Sequence, residues 1–319
     1  MENNTENDLG LELQDLIDAG VQFGHQTRRW NPKMKPFIFS KRNGIHIIDL
    51  RKTLDRLAVA REAVRRTVMS GEKILFVCTK KSLKSVVEQE ARACGSFFIT
   101  ERWLGGMLTN FQTIRKQIRR LKELERGQEE SAFEFYTKKE RLLLDRERTK
   151  LDKYLSGVKD MSRLPGALFV VDARREITAI REANTLGIPV IGVIDTNADP
   201  ELIKYPIPGN DDAIRSVGLI AHSIADVIQK TNVLVPEAQK RQVQESQATT
   251  YSTETGEVKE EQSRPTTKAA SPARRKVIQR PPKIAKEVDE ETSSDQENTN
   301  SEVVEALDSK EETEISSED

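Results

Sequence analysis

The chain has only two cysteines, Cys78 and Cys94. They form no Cys-x-x-Cys pair and join no metal-ligand cluster. No disulfide framework or zinc site is therefore indicated, and the usage fits a reducing compartment. No apolar run approaches the length of a membrane span. No basic residue precedes Arg28, whereas Glu2, Glu6 and Asp8 do. That argues against a signal peptide or an Arg-rich organellar presequence, so the protein is expected to stay where it is made. No strand-like run is followed by Gly-x-x-x-x-Gly-Lys-[Ser/Thr] or Gly-x-Gly-x-x-Gly, so the common phosphate-cradling loops are missing. The turn after Cys78 reads Thr-Lys-Lys-Ser, without glycine. The histidines, His25, His46 and His222, are far apart in sequence, and spacing suggests no Ser/His/Asp or Cys/His set.

What is present is length, charge and an uneven distribution of both. The 319 residues suffice for about one to three domains and a sizeable core. Apolar residues make up 36% and charged residues 32%. This is more polar than an average domain, so part of the chain is expected to be unpacked. The net charge of −1 conceals a split: residues 1–230 carry 39 Lys and Arg against 32 Asp and Glu, and residues 231–319 carry 12 against 20. A basic body with an acidic end points to a polyanion partner for the body.

Residues 1–8 read as a flexible N-terminus. Apolar positions at Leu9, Leu13, Leu16, Ile17 and Val21 predict a short amphipathic helix over 9–23, ended by Gly20 or Gly24. From Gly24 to Pro36 two prolines and no periodicity predict a loop. Its cations Arg28, Arg29, Lys33 and Lys35 interleave with His25 and Trp30. Arginine and lysine neutralise phosphates, and an indole or imidazole can stack on an unpaired base. A loop with both rings folded onto the core is the plain alternative. Asn43-Gly44 between Phe37–Phe39 and Ile45–Ile48 predicts a hairpin with Lys41 and Arg42 at its tip, added to the main sheet. A helix over Asp49–Val68 follows, with Arg51, Lys52, Arg56, Arg61, Arg65 and Arg66 on its surface. Between Gly24 and Arg66 there are 12 basic and 3 acidic residues, which is a patch.

Strands at 74–78, 97–99, 167–171 and 188–194 alternate with helices at 82–93, 177–186 and 214–229. Continuous apolar strands separated by helices predict a mostly parallel sheet covered on both faces. The chain is organised around Arg102–Phe111, which leads from the strand at 97–99 into a long charged helix through Gly105-Gly106. Thr109 with Gln112, Ser131 with Glu134 and Thr137 with Glu140 have capping-box spacing. Gly127 is expected to break the first helix. Ile114, Ile118 and Leu121, then Leu144, Leu151, Leu155 and Val158, give a narrow apolar seam, so residues 109–161 read as an inserted antiparallel coiled-coil hairpin. The α/β domain is then 9–108 with 162–230. Residues 231–319 have too little apolar area to offset the entropy of ordering, and read as a disordered tail.

An enzymatic alternative rests on carboxylates. Asp172 and Asp195 stand at the carboxyl ends of strands, with Asp199, Asp211 and Asp212 in nearby loops, and such a group can hold Mg²⁺. A free nucleotide- or metal-binding enzyme is the second reading. Asp211 or Asp212 is better read as a helix N-cap.

Four stretches carry a resemblance: Ala19–Met34, Arg102–Phe111, Gly187–Pro200 and Tyr205–Ser216. Together, and in this order, they closely resemble the bacterial-type ribosomal protein S-two family, the second protein of the small ribosomal subunit. The resemblance covers roughly Leu9 to Gln229. It implies a flavodoxin-like three-layer α/β/α domain with a coiled-coil hairpin, and an RNA-binding structural protein of translation rather than an enzyme. It also implies ribosomal RNA and small-subunit proteins as partners, the large protein S-one among them. No cofactor, metal or membrane is expected, and a bacterial cytoplasm is preferred to a plastid. Arg28, Arg29, Lys33 and Lys35 are the expected phosphate contacts, with Lys41 and Arg42 next. Trp30 and His25 are candidate stacking or hydrogen-bonding groups. Arg102 and Asn110 belong to the matched motif, either touching RNA or holding the base of the hairpin.

Overall fold

The computed structural model describes residues 11–130, 133 and 135–234. The expectations for residues 1–8, for the Ser131–Glu134 cap and for the tail beyond residue 234 lie outside the described residues. Along the chain, α1 (Leu13–Asp18) precedes β1 (Phe23–Gln26), two 3₁₀ turns (Thr27–Arg29 and Pro32–Phe37), β2 (Ile38–Arg42), β3 (Ile45–Ile48) and α2 (Leu50–Met69). Then come β4 (Ile74–Val77), α3 (Lys84–Ala93) and β5 (Phe97–Ile99), followed by the helical hairpin of α4 (Phe111–Glu129) and α5 (Lys138–Leu155). The chain closes with β6 (Ala167–Val171), α6 (Ile177–Thr185), β7 (Val190–Ile194), β8 (Tyr205–Pro208) and α7 (Ile214–Leu234).

The main sheet is parallel throughout, in the order β5-β4-β6-β7-β8. Counted within the sheet this is 2-1-3-4-5, the flavodoxin-like order. Side chains alternate between faces along each strand. Ile74, Phe76, Phe169 and Val171 enter one core with α2, α3 and α7. Leu75, Val77, Leu168 and Val170 enter a second core with α6 and the base of the hairpin. The result is three layers, and it explains why these strands are apolar without interruption.

The Asn-Gly hairpin forms as expected: Asn43 and Gly44 have φ of 51° and 76°, the left-handed pair that a tight two-residue turn requires. It does not extend the main sheet, however. With β1 it makes a separate antiparallel sheet, β1-β3-β2. β1 takes up Gly24–Gln26 of the segment read as loop, because pairing with β3 supplies hydrogen bonds that local sequence does not encode. α1 ends early, at Asp18. β8 carries two prolines and went unread; as the edge strand it tolerates them.

Five local expectations are corrected. Gly127 does not end α4, which continues to Glu129; the missing side chain leaves room for the Phe133 ring. Thr109 does not pair with Gln112, because its N–H and hydroxyl are taken by Glu182, and Asn110 is the residue preceding the helix. Neither Asp211 nor Asp212 caps α7; Asn210 Oδ1 accepts from the N–H groups of Asp212 (2.8 Å) and Ala213 (3.2 Å). Order does not end at Thr231, since α7 runs to Leu234. The Thr137–Glu140 capping box is present, with Thr137 N–H donating to Glu140 Oε2 at 2.9 Å. Arg61 is not a surface cation: it is buried, and its Nη1 donates to Ser223 Oγ at 2.7 Å.

Candidate nucleic-acid interface

The segment Phe23–Arg42 lies across the carboxyl end of the sheet, held there by the loop after β7. The His25 N–H lies 3.0 Å from Thr196 Oγ1 and 3.2 Å from Asp195 Oδ1, donating to both. The Asn31 N–H donates to the Thr196 carbonyl at 2.7 Å. A β-carbon on Gly24 would lie 2.6 Å from Thr196 Cγ2, so only glycine permits this approach. Met34 and Phe37 anchor the far end of the segment in the second core. Lys33 Nζ reaches Asp199 at 2.9 Å and Glu201 at 2.5 Å.

The site cations therefore divide into two kinds. Lys33 is offset by two carboxylates, whose hydrogen bonds hold its ammonium above the usual lysine value. Arg28, Arg29, Lys35, Lys41 and Arg42 are exposed and have no carboxylate partner among the described residues. Arg28 Nε donates only to the neutral Gln26 Oε1, at 3.0 Å. Trp30 is 36% exposed, its ring centroid 5.2 Å from that of His46. His46 is buried, and neither ring nitrogen has a hydrogen-bond partner among the described residues. Burial, with Lys41 nearby, lowers its pKa. An open cleft of 610 Å³ is bounded by Arg28, Arg29, Trp30 and Arg174. Arg174, from the turn after β6, was not among the residues expected from sequence.

His25 faces inward. Its Nδ1 is 2.8 Å from Asp195 Oδ2, and its Nε2 is 3.6 Å from Asp212. The hydrogen bond to Asp195 raises its pKa against the effect of burial, and Asp211 and Asp212 act in the same direction. Burial, then the charges of Asp172 and Asp195, raise the pKa of Asp211. Lys80 pairs with both Asp212 and Asp211. One ligand atom each from His25, Asp195 and Asp211 lie within 4.8 Å of one another, a spacing that suits a divalent cation. Sequence spacing had not revealed this trio. Four of the five carboxylates of the enzymatic alternative meet the chain's own groups: Asp195 with His25, Asp199 with Lys33, Asp212 with Lys80, and Asp172 with the Arg175 N–H at 3.0 Å; the fifth, Asp211, lies 3.6 Å from Lys80 Nζ, and its buried Oδ1 has no hydrogen-bond partner among the described residues.

Arg102 and Asn110 sit apart from this cleft, at the base of the hairpin. Arg102 is exposed; Asn110 Oδ1 accepts from the Thr113 hydroxyl at 2.9 Å. Between them the chain folds around Glu182, a buried residue of α6. Glu182 accepts from Trp103 Nε1 (3.0 Å), Gly106 N (2.9 Å), Leu108 N (3.0 Å), and Thr109 N and Oγ1 (both 3.2 Å). Sequence reasoning missed Glu182, which stands in a helix with nothing local to mark it.

No helix among the described residues is long and apolar enough to cross a membrane. Fold and site define an α/β/α protein of flavodoxin-like topology, with an inserted helical hairpin and an exposed basic segment laid over the strand ends. A family model described as ribosomal protein S2 matches residues 16–231, and the chain belongs to that family. It is 53% identical over 220 residues to the small ribosomal subunit protein uS2 of Treponema pallidum (strain Nichols), covering 69% of this chain and 76% of the relative. It is 55% identical over 216 residues to the protein of the same name from Syntrophobacter fumaroxidans, covering 68% and 79%.

Proposed function

We propose that this chain is a structural constituent of the small ribosomal subunit in a bacterial cytoplasm, and that it docks on ribosomal RNA through the Phe23–Arg42 segment. Membership in the ribosomal protein S2 family supports the subunit assignment. The observation that carries the RNA-binding surface is the set of exposed cations without internal carboxylate partners: Arg28, Arg29, Lys35, Lys41 and Arg42. A polyanion is the partner such a set accepts, and phosphate contacts would fix position while RNA shape and neighbouring proteins supply specificity. Contact with the neighbouring protein S-one is part of the same reading and rests on family likeness alone. Trp30 stands at the RNA side, whereas His25 acts from behind by holding the segment against Asp195. Arg102 is a secondary contact, and Asn110 supports the hairpin base. Against the enzymatic alternative stand the relatives, which are named as ribosomal proteins, and the internal engagement of Asp172, Asp195, Asp199 and Asp212.

The test is incorporation of an Arg28→Ala, Arg29→Ala double variant into small subunits across a salt series. Weaker incorporation with a shallower salt dependence is expected. Normal occupancy with an unchanged slope would refute the assignment.

A further inference from the structure

Arg28 and Arg29 sit in a loop that one residue closes at both ends. Before the turn Thr27–Arg29, the His25 N–H donates to Thr196 Oγ1 at 3.0 Å. After it, the Asn31 N–H donates to the Thr196 carbonyl at 2.7 Å. The chain from His25 to Asn31 thus leaves Thr196 and returns to it. A third tie lies between these two: the Thr27 N–H donates at 2.9 Å to the carbonyl of Gly44, in the turn of the β2–β3 hairpin. The backbone of the loop is held from two sides, while the side chains of Arg28 and Arg29 stay exposed.

Thr196 is completely buried, two residues beyond the end of β7. Its hydroxyl works in both directions, accepting from His25 and donating to Asp195 Oδ1 at 3.1 Å. Asp195 Oδ1 also accepts the His25 N–H, at 3.2 Å, so hydroxyl and carboxylate share one donor. The methyl group of the same side chain lies against Gly24. Thr196 therefore makes two contacts that chemistry can separate, a hydroxyl on the loop and a methyl on β1.

Fixing a backbone costs conformational entropy for every residue ordered. In a loop already fixed in the free protein, that cost falls on folding and not on binding. Two long arginines on a loose backbone would spread their charge over many positions.

We propose that Thr196 is a positioning residue for RNA docking, which clamps His25 and Asn31 and so presets the backbone that carries Arg28 and Arg29. The proposal rests on the RNA-binding reading above and deepens it. Thr196 is buried and uncharged, so it acts only through the loop.

Two substitutions in the full-length chain separate its contacts. Thr196→Val keeps shape and methyl but loses the hydroxyl; Thr196→Ser keeps the hydroxyl and loses the methyl. Opening of the loop is read by trypsin cleavage after Arg28 and Arg29 under native conditions, with cleavage within α2 as the reference for global opening. Docking is read by rebinding to small subunits stripped of this protein, across a salt series. Thr196→Val is expected to speed cleavage in the loop by about five- to ten-fold, the effect of one lost hydrogen bond. It should weaken docking by about three-fold, as the competent fraction falls. The salt slope should stay that of wild type, because no cation is removed. Thr196→Ser should keep wild-type cleavage and wild-type docking. Full docking by Thr196→Val would overturn the proposal. A loss in Thr196→Ser as large as in Thr196→Val would also refute it, by assigning the effect to packing against Gly24. A flattened salt slope in Thr196→Val would count equally against it, since phosphate contacts would then be lost outright. Wild-type protein that fails to rebind stripped subunits would instead sink the RNA-binding reading, and the proposal with it.

Discussion

Trp103 Nε1 donates to Glu182 Oε1 at 3.0 Å, joining the stretch that leads into the helical hairpin to the middle of α6. The same carboxylate holds the N–H groups of Gly106, Leu108 and Thr109. A tight turn at Gly106, with φ of 81°, curls the backbone around it. The hairpin is thus aimed by one buried acid.

Replacing that acid tests its role. Glu182→Gln keeps the shape but removes the charge and places an amide among donors. A stability loss of about 2 kcal/mol is expected, measured by urea denaturation. Trp103 emission should shift toward that of a more solvated indole. A loss of a few tenths or less, with unchanged emission, would show that the turn holds itself.

The same residue predicts a pH dependence. Burial raises the Glu182 pKa, but the hydrogen bonds from Trp103 and the backbone N–H groups outweigh this and hold it below the usual carboxylate value. Its stabilisation is then present above the unfolded-state pKa and disappears as pH falls through the lower folded value. The stability gap between wild type and Glu182→Gln should be constant above about pH 5 and shrink below roughly pH 4. A gap that widens in acid would contradict the assignment.

Gly24 is where β1 touches the loop after β7. In Gly24→Ala the added carbon would meet Thr196 Cγ2 and Asp195 Oδ1. A loss of about 1–3 kcal/mol is expected from overpacking. RNA affinity should fall as well, because the segment carrying Arg28 and Arg29 would shift. Thermal unfolding with an RNA titration checks both. Reduced stability with full RNA affinity would uncouple the loop's seating from its binding role.

The two kinds of cation should differ in salt response. Arg29→Ala should flatten the salt slope of RNA binding by roughly one phosphate contact, about 0.7–0.9. Lys33→Ala should change it less, because Asp199 and Glu201 already offset Lys33. Equal changes in both variants would mean that Lys33 leaves its carboxylates for RNA.

What the sequence disclosed follows from how local each signal is. β4, β6 and β7 are continuous apolar runs flanked by amphipathic helices, so sheet type and three-layer class were legible. Asn43-Gly44 and Thr137 with Glu140 are self-contained over a few residues, and both form. β1 was not legible, because its partner β3 lies beyond two 3₁₀ turns and β2, and Phe23 is its only large apolar residue. β8 was hidden by Pro206 and Pro208, which only an edge position accommodates. Thr109 was misread because spacing offered Gln112 while tertiary structure offered Glu182. Arg28, Arg29 and Trp30 announced themselves by composition. Arg174 could have been suspected only from a pair of arginines just past the end of a buried strand. Lys33 looked like its neighbours until the fold brought Asp199 and Glu201 to it.

The most direct test of the central claim is sedimentation of the tagged, full-length protein from a cell lysate through a density gradient, at stepwise increasing salt. Co-migration with small subunits at low salt, lost progressively as salt rises, is the expected result. Protein that remains at the top of the gradient at low salt, expressed at a level matched to the subunits, would contradict it.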